Sequence, residues 1–181
     1  MSRTALIVVD MLNAYEHADA DALTASAGPA VPAIAALIRR AQEEGAPVIY
    51  VNDNFGAWTS DRRALIDTAL AGRHRDLVEP IAPADDALFV VKARHSIFFQ
   101  TPLEYLLGQE EVGRVVLAGQ VTEQCILYSA LDAYIRHLQV VIPRDAVAHI
   151  HDHLARAALE LMERNMGAEV VLTSDVRFAE P

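Results

Sequence analysis

The stretch Arg114-Val115-Val116-Leu117-Ala118-Gly119-Gln120-Val121-Thr122-Glu123-Gln124-Cys125-Ile126-Leu127 changes its period halfway along. Its first part is a continuous apolar run, the pattern of a strand covered on both faces. Between Glu123 and His137 the apolar residues Ile126, Leu127, Ala130, Leu131 and Tyr134 recur at helical spacing. The join is polar, and Thr122 is placed to cap the helix, so that Cys125 falls in the first turn. A strand feeding a helix through a short polar turn is the unit from which parallel α/β sheets are built.

The same unit recurs along the chain. Candidate strands run from Ala5 to Val9, Pro47 to Val51, Ala87 to Val91, Arg114 to Leu117, Gln139 to Ile142 and Glu169 to Leu172. Between them, Val31, Ile34, Ile38 and Ala41 mark a helix that Gly45 closes. Leu154, Ala157, Ala158, Leu161 and Met162 mark another from Asp152 to Met166, closed by Gly167. Gly28, Pro29 and Pro32 interrupt the alanine-rich segment from Ala14 to Ala36. The predicted architecture is a three-layer, doubly wound α/β fold: a mainly parallel six-stranded sheet with helices on both faces, in a single domain over residues 1–181.

Bulk properties narrow the function. The chain of 181 residues has room for one good core, and 52% hydrophobic with 22% charged residues is a globular composition. A net charge of −10 argues against a nucleic-acid or membrane partner, since both require a basic surface. The apolar run Ala5 to Val9 is too short for a secretory core and ends on Asp10, and no apolar run approaches bilayer length. The only cysteine cannot form an internal disulfide. A cytoplasmic location is expected.

In open parallel sheets, ligands bind beyond the carboxyl ends of the strands. The first apolar run ends at Asp10, the second in Asn52-Asp53-Asn54, the third in Lys92-Ala93-Arg94-His95, and the fourth shortly before Cys125. An acid, a lysine and a cysteine therefore leave three strands at comparable points. A lone cysteine is more often a small buried hydrophobe than a nucleophile. A helix N-terminus, however, stabilises a thiolate, and a carboxylate with a lysine supplies both a base and a positive charge.

Three segments, in order, resemble the isochorismatase-like cysteine hydrolase family, which includes nicotinamidases and carbamoylsarcosine amidases. They are Asp10-Met11-Leu12-Asn13-Ala14-Tyr15, Lys92-Ala93-Arg94-His95-Ser96-Ile97-Phe98 and Gly119-Gln120-Val121-Thr122-Glu123-Gln124-Cys125. The resemblance runs from about Thr4 to about Val171. It implies a catalytic triad of Asp10, Lys92 and Cys125, with Asp10 preferred over any of the seven histidines as the base. It further implies a cis peptide between Gln120 and Val121, an oxyanion hole from the backbone N–H groups of Val121 and Cys125, and a homodimer or homotetramer.

Nicotinamidases of this family carry an Asp-x-His pair after the second strand, which helps to hold a metal. Here Asp53 is followed by Asn54 and Phe55, and zinc favours nitrogen and sulfur ligands. Neither a metal nor another cofactor is expected. The His149, His151, His153 cluster reads as the loop entering the last helix, with Asp152 as its cap. Asn13, Tyr15, Asn54, Phe55, Trp58, Arg94 and Phe98 follow strand ends and are the candidate substrate-binding residues. Arg94 has the planar fork that suits a carboxylate.

The expected function is hydrolysis of a small amide or ureido C–N bond through a thioester on Cys125. Two other functions stay open at this level. One is isochorismatase-type vinyl-ether hydrolysis, a branch that keeps the acid and the lysine but does without the cysteine. The other is a non-catalytic protein that binds or senses oxidants through its thiol.

Overall fold

The computed structural model describes residues 2–59 and 61–179. Seven strands form one sheet: β1 (Arg3–Val9), β2 (Val48–Asp53), β3 (Leu88–Lys92), β4 (Val112–Gln120), β5 (Gln139–Pro143), β6 (Val147–Ala148) and β7 (Glu169–Val171). Their order is β3-β2-β1-β4-β5-β7, every pairing is parallel, and β6 adds to the end of β4 beyond β5. The six predicted strands are all present. The two-residue β6 was not foreseen, because two residues carry no period.

The helices are α1 (Ala20–Glu43), α2 (Arg62–Ala71), α3 (Arg75–Val78), α4 (Leu103–Gln109), α5 (Leu127–Ile135) and α6 (Asp152–Met166). A single π-helical turn, Thr122–Ile126, joins β4 to α5. Successive strand residues divide between two cores. Leu6, Val8, Tyr50, Val116 and Val141 pack under Leu23, Ala27, Val31 and Ile34 of α1. Ala5, Ile7, Ile49, Leu117 and Ile142 pack under Leu107 of α4, Ala130 of α5 and Met162 of α6. Alternate residues of one strand serve opposite faces, which is why the strands read as unbroken apolar runs.

Three sequence-based expectations are corrected. First, α1 starts at Ala20 and passes through Gly28, Pro29 and Pro32 without a break. Both prolines lie on the exposed face, while Leu23, Ala27 and Ala30 hold the early turns to the sheet. This helix has the length and hydropathy of a membrane span; here its apolar face is core. Second, the large apolar residues of the last two helices point away from the core. The buried residues are Ser129, Ala130 and Ala133 in α5 and Ala155, Ala158 and Met162 in α6, and Leu131, Tyr134, Leu154 and Leu161 are exposed. Small side chains let these helices approach closely and leave the bulkier ones at the surface. Third, neither Thr122 nor Asp152 caps a helix. The Thr122 hydroxyl donates to Ala148 O at 2.9 Å, and Asp152 is a first-turn residue paired with Arg156 at 2.9 Å. Asp61 does cap α2, accepting from Ala64 N at 2.8 Å, and Gly167 closes α6 at φ 67°.

The chain runs outward from β1 through β2 to β3, then returns to place β4 on the other side of β1. Strand order reverses between β1 and β4, and a crevice opens beyond such a reversal. The register fixes what meets there: Val9 lies beside Gly119, and Asp53 beside Lys92.

Candidate active site

Asp10 follows β1 with φ 54°, a left-handed conformation that a short acidic side chain tolerates. Its backbone is tied to both neighbouring strands: its N–H donates to Val51 O at 3.0 Å, and its carbonyl accepts from Gln120 Nε2 at 2.7 Å. Gly119 makes this junction possible. At φ 121° it lies so close to β1 that a Cβ would stand 2.1 Å from Val9 O. The peptide between Gln120 and Val121 is cis, and the π turn then carries Cys125 back over the end of the sheet.

The three predicted catalytic side chains converge. Lys92, only 2% exposed, places Nζ 2.8 Å from Asp10 Oδ2 and 3.7 Å from Cys125 Sγ. The other Asp10 oxygen accepts from Asp53 N at 2.7 Å. Asp53, which the motifs do not assign to the triad, is a second anion for the lysine at 3.2 Å. Its place in the cluster comes from the β2–β3 register, which lies beyond the reach of single-strand patterning. Gln120 was missed for a similar reason. Its side chain links Asp10 O to the Tyr15 hydroxyl, and the latter contact is 3.3 Å.

The electrostatics follow from burial of one cation with two anions. Burial pushes the Asp10 carboxyl above its ordinary 3.8, and Lys92, the Cys125 thiol and the Asp53 amide only partly oppose this. Burial also pushes the Cys125 thiol up from 9.0; adjacent Asp10 adds to this, while Lys92 and the Val121 N–H pull the other way. For Lys92, burial alone would lower the ordinary 10.5, but the charges of Asp10, Cys125 and Asp53 outweigh it, and the ammonium is held charged. Burial and the adjacent anion thus favour the protonated thiol over the thiolate, while the same burial makes the Asp10 carboxylate more basic.

Two cavities flank this cluster and share Asp53, Phe55 and His95. One, of about 360 Å³, contains Asp10, Asn13, Gln120, Val121 and Cys125. The other, of about 740 Å³, is walled by Asn54, Phe55, Trp58, Lys92, Arg94 and Phe99. Trp58 is 81% exposed, so it does not pack onto the core. Arg94 is exposed and makes no ion pair among the described residues. Two candidate substrate-binding residues lie elsewhere. Tyr15 is buried in the core, its ring edge-on to His74, and burial pushes its hydroxyl up to about 12. Phe98 is buried beneath the Arg136 guanidinium, 4.7 Å from the ring centroid. Both follow strand ends in sequence, but their side chains turn inward, a direction that periodicity does not specify.

The residues at the end of β2 do not suit a metal. Asn52 bonds the backbone of Leu12 at both ends of its amide, Asp53 is engaged by Lys92, and Asn54 accepts from Gly56 N. Among the described residues, no group of three or more His, Cys, Asp or Glu side chains is arranged to hold a metal ion. In the 149–153 segment, His149 shares a 3.0 Å contact with the Ser26 hydroxyl. The backbone of the segment is held by Glu123, whose Oε1 accepts from Ile150 N at 3.0 Å and His151 N at 2.7 Å.

Comparison with known proteins agrees with this geometry. Residues 4–175 match the model of the isochorismatase domain. The chain is 33% identical over 172 residues to an uncharacterized isochorismatase family protein, YaaI, of Bacillus subtilis, covering 95% of each chain. It is 27% identical over 181 residues to maleamate amidohydrolase of Pseudomonas putida, covering 96% of this chain and 84% of that one. The crystal structure of N-carbamoylsarcosine amidase from Thermoplasma acidophilum superposes with a TM-score of 0.76 at 26% identity, covering 97% and 99% of the two chains. With a buried cysteine, a lysine and an ion-paired aspartate gathered at the sheet's switch point, the chain belongs to the isochorismatase family of hydrolases.

Proposed function

We propose that this chain is a cysteine amidohydrolase that releases ammonia or an amine from a small amide or ureido compound bearing a carboxylate. The observation that carries this reading is the Asp10–Lys92–Cys125 cluster, with Asp10 and Cys125 lining one cavity. Cys125 Sγ attacks the carbonyl carbon as its proton passes to Asp10, and the developing oxyanion faces the N–H groups of Val121 and Cys125. Asp10 returns the proton to the departing nitrogen, leaving a thioester. Asp10 then takes a proton from water as the oxygen attacks, and the sulfur leaves and recovers that proton. Lys92 stays charged throughout, so proton exchange between Asp10 and the sulfur occurs at constant net charge.

Arg94 supports the carboxylate. It is the exposed cation on the wall of the larger cavity, and its fork can grip two oxygens. Two of the relatives are named for small acids carrying an amide or carbamoyl group, whereas vinyl-ether hydrolysis gives the thiol no part to play.

The test is ammonia release from a panel of short primary amides and ureido compounds, each with and without a carboxylate. Turnover is expected on the acidic members, falling at least about 1,000-fold in Cys125→Ala, with Arg94→Ala raising KM on acidic substrates alone. Rapid thiol alkylation without turnover on any member would favour a thiol-based binding or redox-responsive protein.

A further inference from the structure

The catalytic cluster brings two buried side chains, Asp10 and Lys92, to the sulfur. A further, exposed side chain also reaches the sulfur: His95, with Nδ1 3.8 Å from Cys125 Sγ. This separation is nearly that of Lys92 Nζ, at 3.7 Å. His95 is exposed and lines both cavities, so the sulfur is in reach of both a buried ammonium and an exposed imidazole.

The segment that carries it is held firmly. Lys92 anchors its start in β3. Just beyond His95, the Ser96 hydroxyl donates to Asp132 of α5, and Ile97 N donates to the buried Ser129 hydroxyl at 3.1 Å. The imidazole also leans on the Tyr128 ring, 5.6 Å between centroids. Fixing a side chain on both sides of its own backbone is what a preorganised contact to a reacting atom requires. An exposed ring with one aromatic neighbour has little packing work to do.

We propose that His95 is a catalytic residue, its Nδ1–H donating to the Cys125 sulfur and stabilising the charge that sulfur gains on losing its proton and again on leaving the thioester. No bond to His95 is made or broken: the thiol proton goes to Asp10 and the imidazole keeps its own. The role rests on the amidohydrolase reading for its place in turnover, but the contact acts on any reaction of the sulfur.

The test therefore pairs two measurements on the full chain: ammonia release, and the rate of Cys125 alkylation by iodoacetamide at one fixed pH. The variants are His95→Phe, which keeps a ring without a donor, and His95→Asn, which retains a short N–H donor. A hydrogen bond to a charged partner corresponds to a loss of about 10- to 100-fold. His95→Phe is expected to lower both kcat and the alkylation rate by that factor, with KM nearly unchanged and an unshifted melting temperature, and His95→Asn to restore part of both. Unchanged alkylation in His95→Phe, or a loss in KM alone, would overturn the proposal. Native protein that turns over no amide, yet loses alkylation rate in His95→Phe, would sink the amidohydrolase reading and leave the His95–sulfur contact standing.

Discussion

Lys92 keeps its charge where water does not reach, and two carboxylates make that possible. Removing the ammonium leaves Asp10 and Asp53 facing each other without compensation, so Lys92→Met is expected to lose about 3–5 kcal/mol of stability in urea titrations. The pH dependence has a definite sign. The folded value lies above 10.5, so the native protein binds more protons than the unfolded chain above that pH. The lysine's contribution is complete below about pH 10.5 and fades as pH rises through the folded value. The gap in urea midpoint between native protein and Lys92→Met should therefore hold near neutrality and narrow in strongly alkaline buffer. Cys125 gives a second readout. Its thiol is pushed above 9.0 by burial and by Asp10, so alkylation of the native protein should keep rising through pH 9 without levelling off near neutrality. Asp10→Asn removes the neighbouring anion and should move that profile to lower pH.

Two junctions between elements set the site geometry. At the β1–β4 contact, Gly119 has both a left-handed φ and no room for a Cβ. Gly119→Ala must push β1 and β4 apart next to Asp10, at a cost of about 3 kcal/mol or more. Loss of thermal stability together with loss of activity is the expected outcome, and an unchanged melting temperature would contradict the packing described. At the other junction, Glu123 anchors the 150 segment to the π turn through two backbone N–H groups. Glu123→Ala strands both donors and should cost about 1–3 kcal/mol, read as faster hydrogen exchange at Ile150 and His151.

At the level of the whole molecule, the outward face of α5 and α6 presents Tyr128, Leu131, Tyr134, Ile135, Leu154 and Leu161. Scattered exposed apolar residues are ordinary, but six on two adjacent helices form the kind of surface that association covers. The homodimer or homotetramer implied by the family resemblance would use it. Sedimentation velocity at micromolar concentration is expected to show a species larger than the monomer, shifted towards monomer by Leu131→Glu with Ile135→Glu. A monomer in the native protein would rule out this assembly.

Period and punctuation in the sequence determined the layer structure. Unbroken apolar runs imply strands buried on both faces, and Gly167 ends α6 where its left-handed φ requires. Asp10, Lys92 and Cys125 were legible because each stands at or shortly after the end of a strand and matches a motif in order. Strand order and register were not legible, since pairing joins residues far apart in sequence whose local patterns are alike. For that reason only the tertiary structure brought Asp53 to Lys92, Gln120 to Asp10 and His95 to the sulfur. It also decided which way side chains turn after leaving a strand, sending Tyr15 and Phe98 into the core and Arg94 and Trp58 to the cavity. The charge state of Cys125 belongs to the same class, because burial and neighbouring anions act through space and leave no trace in the order of residues.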